Sequence, residues 1–295
     1  MANLVSPGVQ VKEIDLTNVV PSVSSTAGAM AGAFAWGTVN EVVTVSSETE
    51  LVDTFGKPDA NTFESVLSAA QFLSYGSALK VVRAVGTSAR NATASGTGIL
   101  TQNSTVFAGQ SPAAGDWAQA RYPGVRGNSV GVAYVTANGV SDGWQSSTFW
   151  KTNTESAPGT SAGAAAVGGS NDEIHLAVYD VTGVITGTVG TVMELWSYLS
   201  QASDVKGSDG STLYYRDVIN AGSKWVFLGN HPAPLTDAGE SAVSNAFTRT
   251  TIRSQPLTGG IDDNALTVGE TTTALGMFAD AETMDMSLMF QSNSG

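Results

Sequence analysis

The chain has 295 residues, enough for two or three domains and too many for a single core. Thirteen Lys and Arg stand against 26 Asp and Glu, and this formal charge of −13 argues against a general nucleic-acid or anionic-membrane surface while leaving room for a local basic patch. The absence of cysteine excludes disulfides, thiolate ligands and thiol nucleophiles, and the sequence has neither a basic-then-apolar leader nor a run of about 18 apolar residues.

In chain order, Ser6, Pro7 and Gly8 signal a turn, and Val9, Val11 and Ile14 form a short, partly alternating strand pattern. Residues 17–28 run through Pro21 and a Ser/Thr/Ala/Gly series that offers this strand no partner. Such a segment reads either as an arm that joins the sheet edge of another domain or copy, or as an edge strand folded back on its own body.

Residues 27–37 read as a buried strand and 42–45 as a second. Leu51, Val52 and Phe55 predict a short helix stopped by Gly56. A longer helix follows, with Asn61 as cap, Glu64 three residues on, and Phe63, Val66, Leu67, Ala70 and Leu73 on one face up to Gly76. Residues 79–85 then form a strand that this helix covers, giving an αβ layer.

From residue 87 to 170, short apolar runs alternate with Ser, Thr, Gly, Ala and Asn, which predicts a β-rich insertion with many loops, including a strand over 130–135 and a loop or linker over 159–169. Beyond it, residues 174–179 read as a strand and 180–190 as a Gly-rich turn. Val192, Leu195, Trp196 and Leu199 read as a helical stripe. A helix opens in the 270s, and residues 284–290 alternate into a strand expected to join the sheet of Val81–Val85.

Few groups could perform chemistry. His175 falls in a strand pattern and His231 beside Pro232 in a loop, so both read as structural, and no His-rich cluster or HExxH run suggests zinc. The phosphate loop and the GxGxxG turn are missing. Residues 204–210 lack the alternating oxygen ligands and closing Glu of a calcium loop and read as a surface turn. Trp36, Trp196 and Trp225 read as core anchors, whereas Trp144 and Trp150, in the loop-rich insertion, are candidates for a surface contact.

Residues 6–15 (SPGVQVKEID) followed by 29–37 (AMAGAFAWG) resemble the start of the contractile tail sheath proteins of T4-like bacteriophages. The resemblance continues through 51–56 (LVDTFG), 72–76 (FLSYG), 81–85 (VVRAV) and 122–128 (YPGVRGN). It is densest over 172–226, including 204–210 (DVKGSDG), and persists in 257–260 (LTGG), 274–280 (ALGMFAD) and 282–289 (ETMDMSLM).

The resemblance implies an α+β multi-domain protein with an N-terminal arm and tether (1–27) and an αβ layered domain (28–86 with 264–295). A protruding β-rich insertion (87–170) and an α/β middle domain (171–263) complete it. The implied role is a structural, non-enzymatic subunit without a cofactor, forming stacked hexameric rings around a tail tube and contracting when a baseplate triggers it. Tube, baseplate and tail terminator proteins would be its partners, in a virion assembled in the host cytoplasm. Val9, Val11, Lys12, Glu13 and Ile14 would carry the exchange of arms between subunits. Relatives of this family continue into a further C-terminal domain, so a partial sequence is expected. Two other readings stay open: the sheath of another contractile injection system, such as a tailocin or secretion-type machine, and a module whose insertion binds carbohydrate or a cell surface.

Overall fold

The structure, a computed structural model, describes residues 27–110, 116–136, 143–249, 252–280, 282 and 284–291. The arm, with Val9, Val11, Lys12, Glu13 and Ile14, lies outside the described residues. The strands are β1 (Ala27–Gly32), β2 (Val42–Val45), β3 (Ala78–Arg83), β4 (Ala118–Ala120), β5 (Val130–Val135), β6 (Glu173–Asp180), β7 (Val192–Ser200), β8 (Val226–Leu228), β9 (Arg253–Pro256) and β10 (Leu288–Gln291). The α-helices are α1 (Glu48–Phe55), α2 (Phe63–Leu73), α3 (Ser104–Ala108), α4 (Thr148–Asn153), α5 (Ala162–Ala166), α6 (Tyr215–Gly222) and α7 (Val268–Gly276).

β1 is built from small residues because it is covered on both faces and both edges. It runs parallel to β10 on one side and to β3 on the other, and β2 closes the sheet antiparallel to β3. On one face Met30, Phe34, Leu79 and Val81 pack against Leu51 and Phe55 of α1 and Val66 and Ala69 of α2. On the other, Ala29, Ala31 and Val82 meet Ala274 and Phe278 at α7. The result is three layers, α/β/α. The C-terminal strand enters this sheet through β1 and not directly beside β3.

Local signals explain the helices. Ser47 caps α1 by accepting the N–H of Glu50, and Gly56 ends it at φ +86. α7 carries a full capping box between Thr267 and Glu270. The cap expected at Asn61 is displaced, because the Asp59 carboxylate accepts from the N–H groups of Asn61 and Thr62 and from the Thr62 hydroxyl. The buried face of α2 is also rotated from the expected stripe: Ser65, Val66 and Ala69 are inside, while Phe63 and Leu67 are 45% and 58% exposed.

The second sheet, β7-β6-β5-β9, is antiparallel throughout. Every residue of β5 is buried, with Val130, Val132 and Tyr134 on the larger core and Ala133 and Val135 on the opposite face. A two-stranded ribbon, β4-β8, packs into the same large core.

These pairings cross the boundary expected at 170/171. Both strands contributed by residues 87–170 pair outside that segment, β4 with β8 and β5 with β6 and β9. Among the described residues, the segment otherwise holds short helices, α3, α4 and α5, in place of a β-rich unit with its own sheet. The expected linker over 159–169 contains α5, capped by Ser161.

The helical stripe at Val192, Leu195, Trp196 and Leu199 is a strand, β7. Its register against β6 slips twice, placing extra residues between Trp196 and Leu199 and between Val192 and Glu194. Each extra residue shifts the two-residue alternation by one. Trp196 and Leu199 therefore share one face despite being three apart, and Val192 packs on the other. Two bulges thus imitate a helical spacing.

Candidate subunit-contact surfaces

Three features are candidates for contact with other chains or for carrying load between the layers. The first is the junction between the two sheets. Arg83, at the end of β3, is 1% exposed and donates three 2.8 Å hydrogen bonds: Nε to the Phe34 carbonyl, Nη1 to Gly37 and Nη2 to Pro123. Its partners come from the loop after β1 and from the segment entering β5, so one guanidinium ties the α/β/α layer to the second sheet. Burial lowers its pKa to about 10, opposed by the nearby Asp262 charge, and it stays cationic at neutral pH. Asp262 also accepts the N–H of Val125 at 2.9 Å.

Beside this junction lies a cleft of about 400 Å³, lined by Trp36, Asp53, Arg121, Tyr122, Lys224 and Trp225 among others. Trp36 is 4% exposed and forms its floor, with the Trp225 ring 5.4 Å away and Tyr122 edge-on at 5.3 Å. The Arg121 guanidinium sits 4.3 Å over Phe227 and donates to the Asn220 and Ser223 carbonyls. Lys224 is exposed on the rim, and Arg126 lies 5.8 Å from the Trp225 ring. Gly56 allows that approach: a side chain there would stand 3.3 Å from Arg126 Nη1.

The third feature is the open edge of the first sheet. β10 pairs only with β1 among the described residues, and Leu288 and Met289 are 50% and 46% exposed while Phe290 stacks on Phe72. On the outer side of α2, Phe63, Leu67 and Tyr75 are exposed too. Edges and apolar faces of this kind are sites of strand addition and packing.

The two histidines are held as structural groups. His175 is fully buried in β6, its Nε2 2.9 Å from the Ser156 carbonyl and its Nδ1 accepting the N–H of Tyr198, so one ring joins the loop after α4 to the bulge of β7. His231 bonds the Tyr215 hydroxyl through Nδ1 at 2.7 Å. Burial depresses both imidazoles, with Arg216 adding to the effect at His231. Asp209 in the 204–210 turn accepts from Ser211, and Gly210 sits at φ +82, as a tight surface turn requires. Among the described residues, no group of three or more His, Cys, Asp or Glu is placed to hold a metal.

Trp150 does not reach the surface; it is fully buried with Ala133, Val135 and Ala177. Trp144 is half-buried and donates its indole N–H to Thr154. The junction and cleft were not singled out in the sequence. Their one local signal was a cation inside an apolar run, Arg83 within 81–85, which implies a buried charge with dedicated partners.

Residues 26–84, which contain β1, β2, β3, α1 and α2, match the family described as "Tail sheath protein Gp18 domain III N-terminal region". The tail sheath protein of Salmonella phage ViI is 32% identical over 284 residues, covering 92% of this chain and 42% of that protein. The chain is similar to phage tail sheath proteins. The tail sheath protein of Enterobacteria phage T4 is 44% identical over 82 residues, 28% of this chain and 12% of its own length. The chain thus spans less than half the length of the curated relatives it matches. The match to a solved sheath tail protein from Listeria innocua covers 90% of this chain and 40% of that one, at 14% identity and a TM-score of 0.44.

Proposed function

We propose that this chain is part of a subunit of a contractile phage tail sheath, with a structural and not a catalytic role. The similarity to the ViI tail sheath protein along nearly the whole chain carries the reading. In it, subunits form hexameric rings stacked around a tail tube, between baseplate and tail terminator proteins, within a virion assembled in the host cytoplasm. Contraction moves the subunits largely as rigid bodies between two sets of contacts. The buried Arg83 junction supports such a body, because it resists separation of the two sheets as load crosses them.

Residues 1–27 serve as an arm and tether, and Val9, Val11, Lys12, Glu13 and Ile14 supply the strand added to a neighbouring copy. Backbone pairing on a flexible tether survives reorientation of the bodies it joins. The test is electron microscopy of the full-length protein that contains this chain, with and without its tube protein. Rings or tubes of regular diameter are expected. Dispersed monomers under both conditions would overturn the reading.

A further inference from the structure

We propose that the cleft between Trp36, Tyr122 and Trp225, flanked by Arg121 and Lys224, receives a carboxylate-bearing segment of a second copy of this chain. The inference rests on the sheath reading and adds where one contact between copies is made. Each copy carries 26 acidic against 13 basic residues, so copies repel one another on average. Assembly of such chains needs places where local charge opposes the net charge.

The cleft is such a place. Arg121 and Lys224 line it together with the Trp36 and Trp225 indoles, Arg126 stands 5.8 Å from the Trp225 ring just outside it, and Asp53 is the one acidic residue lining the cavity. Glu194 lies nearby and keeps its charge while accepting the Ser223 hydroxyl and the Lys224 N–H at 2.7 Å each, so Arg121, Arg126 and Lys224 stand against two carboxylates, Asp53 and Glu194, and the local balance is still positive. Arg121 is held by the Asn220 and Ser223 carbonyls, which orients its charge without neutralising it. The buried Nε of Arg126 has no hydrogen-bond partner among the described residues. A volume of about 400 Å³ accommodates two or three side chains. Aromatic rings and arginine are the groups enriched at interface centres, with a lysine on the rim to attract an acidic partner.

The experiment uses the full-length protein, assembled from a mixture of unlabelled and 15N-labelled copies and treated with a zero-length carbodiimide. Mixed-isotope cross-links between Lys224 and an Asp or Glu of another copy are expected. If Lys224 links only to carboxylates of its own copy while other lysines link between copies, the proposal is overturned. In parallel, Lys224→Glu is expected to raise the concentration needed for assembly about tenfold, since it sets like charges together. Lys151→Glu, the same change at an exposed position on α4, is expected to leave it unchanged. A Lys224→Glu protein that melts like the wild type and assembles equally well also refutes the cleft contact, leaving the sheath reading intact. Failure of the wild type to assemble removes both.

Discussion

Arg83 joins the two sheets, because three carbonyl groups from two segments have it as a donor. Arg83→Met removes the charge, strands those carbonyls in the interior, and is expected to cost about 3 kcal/mol or more. Urea denaturation checks this through a lower midpoint at unchanged slope. His175 and His231 give a pH dependence of definite sign. Both have folded pKa values below the ordinary 6.5, so the unfolded chain takes up their protons first as pH falls. Their contribution is complete above about pH 6.5 and declines below it, toward the folded values. Melting temperature is therefore expected to drop between pH 7 and pH 5, and the imidazole proton resonances should titrate below 6.5. A flat melting profile over that range would contradict the assignment. The depressed carboxylates of Asp180, Asp204 and Asp237 act only at lower pH, where stability falls as they protonate below the usual aspartate range.

Within the second sheet, Gly131 of β5 makes room for its cross-strand partner. The Tyr179 ring from β6 lies across it, and the Tyr179 hydroxyl bonds Ser254 on β9 at 2.6 Å. A β-carbon at 131 would fall 2.4 Å from that ring. Gly131→Val is expected to displace the ring, break the link to β9 and cost about 1–3 kcal/mol by thermal melting. In α7, Thr267→Ala removes the capping box and should cost about 1 kcal/mol. Elements whose signals are local, such as α1 stopped by Gly56, were legible in the sequence. β7 was not, because its bulges depend on the register against β6, and the 3.6-residue template fits the resulting spacing equally well. The stripe on α2 was misplaced by one position for a related reason: its face is chosen by Met30 and Val81 beneath it, not by the count of apolar residues on the helix.

For the whole molecule, deleting residues 1–15 from the full-length protein is expected to leave its melting temperature nearly unchanged while abolishing regular tubes in the electron microscope. Wild-type tubes from the deleted protein would remove the arm from the mechanism. The sequence by itself determined the similarity to tail sheath proteins, the acidic charge that any self-assembly must overcome, and the α1–α2–β3 layer, because these rest on composition and on interactions between residues close along the chain. Only the tertiary structure decided that β5 leaves its own segment to lie between β6 and β9, that β10 joins the first sheet through β1, and that Arg83, Trp36 and Trp225 meet at one junction. Strand pairing uses backbone groups that are the same at every residue, so partners far apart in the chain are selected by shape and burial in the folded molecule, which local pattern does not record.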